Sequence, residues 1–221
     1  MKKTTAILLV FALVFALASC TGSGEPTDRA STGENTSISA ESVSAATESK
    51  ETENDAGVQK VLVAYFSATG TTKGVAQQIA GGLSCDLYEI TPQDPYTDAD
   101  LNYSDANSRT TTEMNDENAR PAISGAVSNM AQYDVVFLGY PIWWGEAPRI
   151  ISTFLESYDF TGKTIVPFCT SGSSGISSSV SSLKPLTSGA TWLEGQRFGG
   201  GASDETVMEW VRSLNLALDT Q

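Results

Sequence analysis

Apolar residues in this chain fall into two kinds of run, and their alternation sets the expected architecture. Val61-Leu62-Val63-Ala64-Tyr65-Phe66 is an unbroken apolar stretch of strand length, the pattern of a central parallel strand covered on both faces. Beyond a polar loop, Val75, Ala76, Ile79, Ala80 and Leu83 recur at helical spacing, and Gly81-Gly82 weaken the end of that helix. Leu87 and Ile90 mark a short second strand, and the long polar stretch Thr91 to Gln132 is expected to carry a helix around Ser104 to Asn118. Val135-Val136-Phe137-Leu138 is the next buried-type strand, running into the loop Gly139 to Gly145. Pro148 stands near N1 of a helix whose apolar face is Ile150, Ile151, Phe154, Leu155 and Tyr158. Thr164 to Phe168 is a strand, Ile176 to Leu183 a helix and Thr191 to Phe198 a strand. A closing helix has Ser203 as N-cap, Asp204 and Glu205 in its first turn, and Val207, Trp210, Val211, Leu214 and Leu218 on one face. Strands alternating with helices imply a doubly wound parallel sheet. Such sheets bind ligands beyond the carboxyl ends of their strands, at the switch point, so the loops after Phe66, Leu138 and Phe168 are where chemistry is expected.

The first quarter of the chain follows a different pattern. Met1, Lys2 and Lys3 precede the apolar run Ala6 to Ala18, too short to span a bilayer and of signal-peptide length. Its end, Leu17-Ala18-Ser19-Cys20, resembles the bacterial lipobox, which implies cleavage before Cys20 and acylation of its thiol. Cleavage after Ala16-Leu17-Ala18, an A-x-A-like site, is the alternative and would release a protein without a lipid. Thr21 to Ala56 is rich in Ser, Thr, Glu, Ala and Asn and poor in aromatics, a composition that buries too little surface to fold and reads as a solvated linker. The expected organisation is a signal peptide over 1–19, a lipidated Cys and linker over 20–56, and one folded domain over 57–221. Attachment to the outer face of the membrane would then be by the lipid anchor only.

Charge and composition narrow the function. From Gly57 onward there are nine Lys or Arg against eighteen Asp or Glu, a net charge of −9. No basic stripe exists to displace phosphate counterions, which argues against nucleic acid as a partner. The chain has no histidine, which excludes Ser-His-Asp and Cys-His catalysis and removes the commonest zinc ligand. Cys85 and Cys169 belong to opposite ends of the expected sheet, too far apart for a disulfide. Both are expected as buried packing residues, and no metal-type spacing is present.

Ser67-Ala68-Thr69-Gly70-Thr71-Thr72 places four hydroxyl residues and a glycine between a buried strand and an amphipathic helix. Hydroxyls and N–H groups at a helix N-terminus can enclose a phosphate dianion without Arg or Lys. The loop is neither a P-loop nor a G-x-G-x-x-G fingerprint; the plainer reading is a polar turn that starts a helix. Here the segment Val63 to Ile79 resembles the flavodoxin FMN-phosphate signature, with Tyr65, Ser67, Gly70, Thr72, Ala76 and Ile79 in matching positions. Ala64 departs from it, where a larger apolar residue is usual. The resemblance extends from Val61 to Leu218 and is to the short-chain form, with no insertion splitting the last strand. It implies a five-stranded parallel sheet of order 2-1-3-4-5 with helices on both faces, and FMN as the cofactor. The tract Tyr96 to Pro121 also resembles that of a bacterial flavodoxin subgroup.

The same resemblance assigns roles to the other two loops. Pro141-Ile142-Trp143-Trp144-Gly145 matches the loop that stacks an aromatic ring on the flavin, and adjacent residues on an extended loop point apart, so one Trp is expected to reach it. Gly145 matches the small residue whose peptide turns toward the flavin as its redox state changes. Thr170-Ser171-Gly172-Ser173-Ser174-Gly175 matches the loop at the pyrimidine end, with Thr170, Ser171, Gly172 and Gly175 as its binding residues. That loop lacks the usual outer aromatic, which would leave one flavin face open. The implied function is a monomeric one-electron carrier whose acidic surface steers it to basic redox partner proteins. The alternative is an FMN-dependent quinone or NAD(P)H oxidoreductase, in which quinone-type small molecules or a nicotinamide reach the open face. A third possibility is an interaction protein with a decayed flavin site, against which the retained hydroxyls argue.

Overall fold

The computed structural model describes residues 59–218. The signal segment, Cys20 and the linker lie outside them. Within the described residues β1 (Val61–Tyr65), α1 (Thr71–Leu83) and β2 (Asp86–Glu89) open the fold. A short ladder of β3 (Thr91–Pro92) with β4 (Ile123–Ser124) closes an excursion that contains α2 (Arg109–Asn115). There follow β5 (Val135–Pro141), α3 (Arg149–Glu156), β6 (Thr164–Thr170), α4 (Ser177–Leu183), β7 (Thr191–Trp192), β8 (Gln196–Phe198) and α5 (Asp204–Ser213). The main sheet is parallel, in the order β2-β1-β5-β6-β7, with β8 also paired to β6. This is the doubly wound order expected from the resemblance.

The unbroken apolar runs follow from burial on both sides of this sheet. Leu62, Ala64, Phe66, Val136, Leu138 and Ile165 pack on one face with Ile150, Ile151 and Phe154 of α3 and Val180 of α4. Val61, Val63, Tyr65, Val135, Phe137, Val166 and Phe168 pack on the other with Val75 and Ile79 of α1 and Val207 and Val211 of α5. Each Val, Leu, Ile or Phe among them contributes roughly 1.5–3 kcal/mol on burial, and successive residues serve opposite layers. The chain enters at the start of β1 and reverses its winding between β2 and β5, so the crevice lies beyond Tyr65 and Pro141.

The fifth strand is divided, without an insertion, and Pro167 explains where. Along β6, the backbone toward the edge strand accepts from Thr191 N at Lys163 O (2.9 Å) and from Leu193 N at Ile165 O (3.0 Å), and Ser171 N donates to Phe198 O (3.0 Å). Pro167 falls on that side and has no N–H to give. Pairing lapses between Leu193 and Gln196, and the register slips by one residue between Thr164↔Thr191 and Phe168↔Gln196. Gly195 lies so close that a Cβ there would stand 2.9 Å from Pro167 Cγ.

Pro148 stands near N1 as expected, as the N-cap of α3. Some element ends differ from expectation. The helix expected around Ser104–Asn118 is confined to α2, capped by Ser108, whose Oγ accepts from Thr111 N. Ser203 caps α5 by accepting from Thr206 N at 3.3 Å, but the helix stops at Ser213, so Leu218 packs on the core from beyond it. Cys169 is buried, whereas Cys85 precedes β2 and is only half-buried, because the edge strand is covered on one side alone; both thiols are free.

Candidate functional site

The first loop is shaped by Gly70, which holds φ +89° as the N-cap of α1, a left-handed conformation that costs a residue with a Cβ about 1–2 kcal/mol. Its own N–H donates to Ser67 Oγ at 3.1 Å, and its carbonyl accepts from Gly74 N at 3.1 Å. No side chain caps the helix. Among the described residues the N–H groups of Thr71, Thr72 and Lys73 therefore have no hydrogen-bond acceptor. The Thr69 and Thr71 hydroxyls stand beside them, 3.5 Å apart. Thr72 uses its hydroxyl differently. It is buried and bonded to Thr170 Oγ1 at 2.7 Å, which fastens the first loop to the third.

Lys73 does not complete this cradle. Its Nζ pairs with Glu89 Oε2 at 2.9 Å, and Tyr65 donates its hydroxyl to the same oxygen at 2.8 Å. Burial alone pushes the Glu89 carboxyl up, but the hydrogen bonds from Lys73 and Tyr65 outweigh it and hold the carboxyl below its usual range. Burial and Glu89 together push the Tyr65 phenol well up. What faces the crevice at this point is N–H and O–H, with the helix dipole behind them.

The second loop separates its two tryptophans. Trp143 is 4% exposed and packs edge-on against Phe66 (5.4 Å between ring centroids) and Tyr96 (5.0 Å). Trp144 is 53% exposed. Reciprocal bonds of 2.9 Å between Trp143 and Glu146 close a two-residue turn in which Trp144 has φ +52° and Gly145 φ +85°. These angles are those of a type I′ turn. Gly tolerates that region, but a bulky Trp in it is strained. Among the described residues the peptide between Trp144 and Gly145 makes no backbone hydrogen bond.

In the third loop Thr170 O accepts from Ile142 N (3.1 Å), Ser171 N donates to Phe198 O (3.0 Å), and Arg197 donates to Ser171 O (2.9 Å). The three loops meet at one cleft of about 390 Å³, whose wall includes Thr69, Thr71, Pro141, Ile142, Trp143, Thr170, Ser171 and Gly172. Ser67, Ala68, Gly70, Thr72 and Gly145 are not part of that wall, and Trp144 lies beside it, its ring centroid 5.6 Å from that of Tyr103. Gly175 is not brought to the cleft and leads into α4. The wall also contains Leu101, Tyr103 and Gly200, which reading the sequence did not single out. An aromatic residue isolated in the polar stretch Thr91 to Gln132 was the one signal for Tyr103. The arrangement can hold an anion at one end and a flat apolar group at the other.

Comparison with known proteins is consistent with this geometry. The flavodoxin family model matches residues 60–214. A crystal structure of a candidate flavoprotein from Bacteroides eggerthii is 46% identical, covers 72% of this chain and 99% of its own, and superposes with a TM-score of 0.67. A second, from Bacteroides uniformis, is 47% identical, covers 71% and 99%, and has the same TM-score of 0.67. A flavoprotein in complex with FMN from Lactobacillus acidophilus shares the fold at 22% identity and TM-score 0.53, covering 70% and 99%. No curated protein is matched.

Proposed function

This chain belongs to the flavodoxin family, and we propose that it binds FMN and carries electrons on the outer face of a bacterial membrane, held there by a lipid on Cys20. The observation that carries the first part is the junction in one cleft of a phosphate-type cradle and an aromatic-edged slot. The residues fit FMN on two counts. Among the described residues three N–H groups at the start of α1 lack acceptors and stand beside the Thr69 and Thr71 hydroxyls, as a phosphate dianion needs. The adjoining cleft of about 390 Å³ is within the usual range of small-molecule sites, about 300–1,000 Å³.

Thr69, Thr71, Thr72 and Lys73 would hold the phosphate through backbone N–H groups, with the hydroxyls of Ser67, Thr69 and Thr71 adding donors. Ile142 and Trp143 would line the ring's inner side, and the unbonded peptide at Trp144-Gly145 can turn toward its edge. Bound FMN supplies reversible electron uptake and release. The protein's part is to hold the phosphate, exclude water from the ring and limit what approaches it. The acidic body favours basic redox partner proteins.

The outer-face location rests on the sequence before Gln59. Among the described residues no helix is long and apolar enough to cross a membrane. The purified protein is expected to be yellow and to release FMN in equimolar amount, without FAD. A colourless protein that takes up no FMN would contradict the cofactor assignment. Cys20→Ser is expected to move the protein from the membrane to the soluble fraction, since the acyl chains supply the affinity. An unmutated protein already soluble with Ser19 at its mature N-terminus would favour the alternative cleavage.

A further inference from the structure

The excursion between β3 and β4 carries an arm that the loop chemistry above leaves unused. Its base is anchored at Tyr96, whose ring packs edge-on against Phe66 (5.7 Å) and Trp143 (5.0 Å) and whose hydroxyl donates to Glu113 Oε2 at 2.6 Å. The Arg109 guanidinium lies 4.0 Å from the Tyr96 ring centroid and pairs with Glu113 at 2.6 Å. Thr110 holds the next turn, donating N–H (3.1 Å) and hydroxyl (2.8 Å) to Asp100 O, and Thr111 holds the far side by donating to Asp105 O at 3.1 Å. Between those two fastenings the chain presents Leu101 and Tyr103 to the cleft.

Tyr103 is 47% exposed and Trp144 53%, and with Leu87 these are the exposed large hydrophobic residues among the described ones. Two of the three stand side by side at the cleft, with ring centroids 5.6 Å apart. Tyr103 makes no hydrogen bond through its hydroxyl among the described residues, so its ring and not its polar tip is what the arm offers. Trp144 is kept exposed at a strained positive φ, and strain of that kind persists where the surroundings require it. Neither residue serves the core.

We infer that Tyr103, carried on the Tyr96–Asp105 arm, is the aromatic cover of the cofactor ring, taking the part for which the loop Thr170–Gly175 has no aromatic residue. The inference rests on the FMN reading and extends it. With Leu101 and Tyr103 over the cleft, a second planar donor has no open face to stack on, and electrons pass at the ring's edge. The arm, not the third loop, then decides between a carrier and an enzyme that takes a hydride from a nicotinamide.

The test is titration of the apo form of the full protein with FMN, followed by flavin fluorescence, in wild type, Tyr103→Ala, Tyr103→Phe and, as a control on the exposed edge strand, Leu87→Ala. Thermal melts confirm that each variant is folded. Tyr103→Ala is expected to bind FMN about tenfold more weakly and to leave the bound flavin more fluorescent and more accessible to iodide. Tyr103→Phe and Leu87→Ala should match wild type. Tyr103→Ala binding within twofold of wild type, with unchanged fluorescence and iodide access, would overturn the inference while leaving the cofactor assignment intact. Failure of the unmutated protein to bind FMN would overturn the assignment itself, and the inference with it.

Discussion

The hydroxyl pair between Thr72 and Thr170 is a buried polar link whose removal has a calculable consequence. Thr72 is 1% and Thr170 6% exposed, and their Oγ1 atoms are 2.7 Å apart. Valine matches threonine in shape, so substitution leaves no cavity and isolates the polar term. Thr72→Val strands the Thr170 hydroxyl on a strand with no other partner. The cost of an unsatisfied buried hydroxyl is about 1–3 kcal/mol, which for a domain of this size lowers the melting temperature by roughly 2–4 °C per kcal/mol. Thr170→Val is expected to cost about as much, because Thr72 is the second residue of α1 and has no preceding helical turn whose carbonyl its hydroxyl could reach. The double variant removes both polar groups and should be more stable than Thr72→Val alone. Urea unfolding of the four proteins gives the coupling energy, expected at about 1–2 kcal/mol. Strictly additive losses, with the double variant the least stable of the set, would refute the reasoning.

Three further outcomes follow from the same geometry. Thr69→Glu sets a carboxylate beside the three free N–H groups of α1 and should weaken FMN binding by at least about a hundredfold, since like charges in contact in a poorly solvated loop repel strongly; wild-type affinity in a titration would count against the phosphate site. Burial, with Asp86 nearby, pushes the Cys85 thiol up to about 11, and burial pushes Cys169 up to about 12. In the Cys20→Ser protein a thiol reagent at pH 8 should therefore react slowly at Cys85 and at Cys169 only on unfolding, and two rapid equivalents would contradict this. The Glu89 carboxyl is held below its usual range, so its contribution to stability is complete above the unfolded value near 4.3 and is lost as pH falls through the lower native one. Glu89→Gln should flatten the fall in melting temperature between pH 5 and pH 3, modestly, because the Lys73–Glu89 side chains are about two-fifths exposed.

The sheet was legible because burial on both faces writes β1, β5 and β6 as continuous apolar runs, and because α1, α3 and α5 each show one apolar face to it. The first loop was legible as a polar turn between β1 and α1, and its use as a phosphate cradle is the proposal made above. Other features depend on contacts that sequence spacing does not encode. The break between Leu193 and Gln196 arises from a proline whose missing N–H matters only once it is known to face the edge strand. The opposite fates of Trp143 and Trp144 follow from a type I′ turn that sets Trp144 at a positive φ which a bulky residue disfavours. The arm bearing Tyr103 has no periodicity, since side-chain hydrogen bonds from Thr110, Thr111, Arg109 and Tyr96 hold it in place of an apolar stripe.

The central claim, a flavin held by its phosphate at the start of α1, is tested most directly by titrating the apo protein with FMN and with riboflavin under identical conditions. FMN should bind with one-to-one stoichiometry, and riboflavin, which lacks the phosphate, about a hundredfold or more weakly. Equal affinity for the two, or no binding of either, would contradict it.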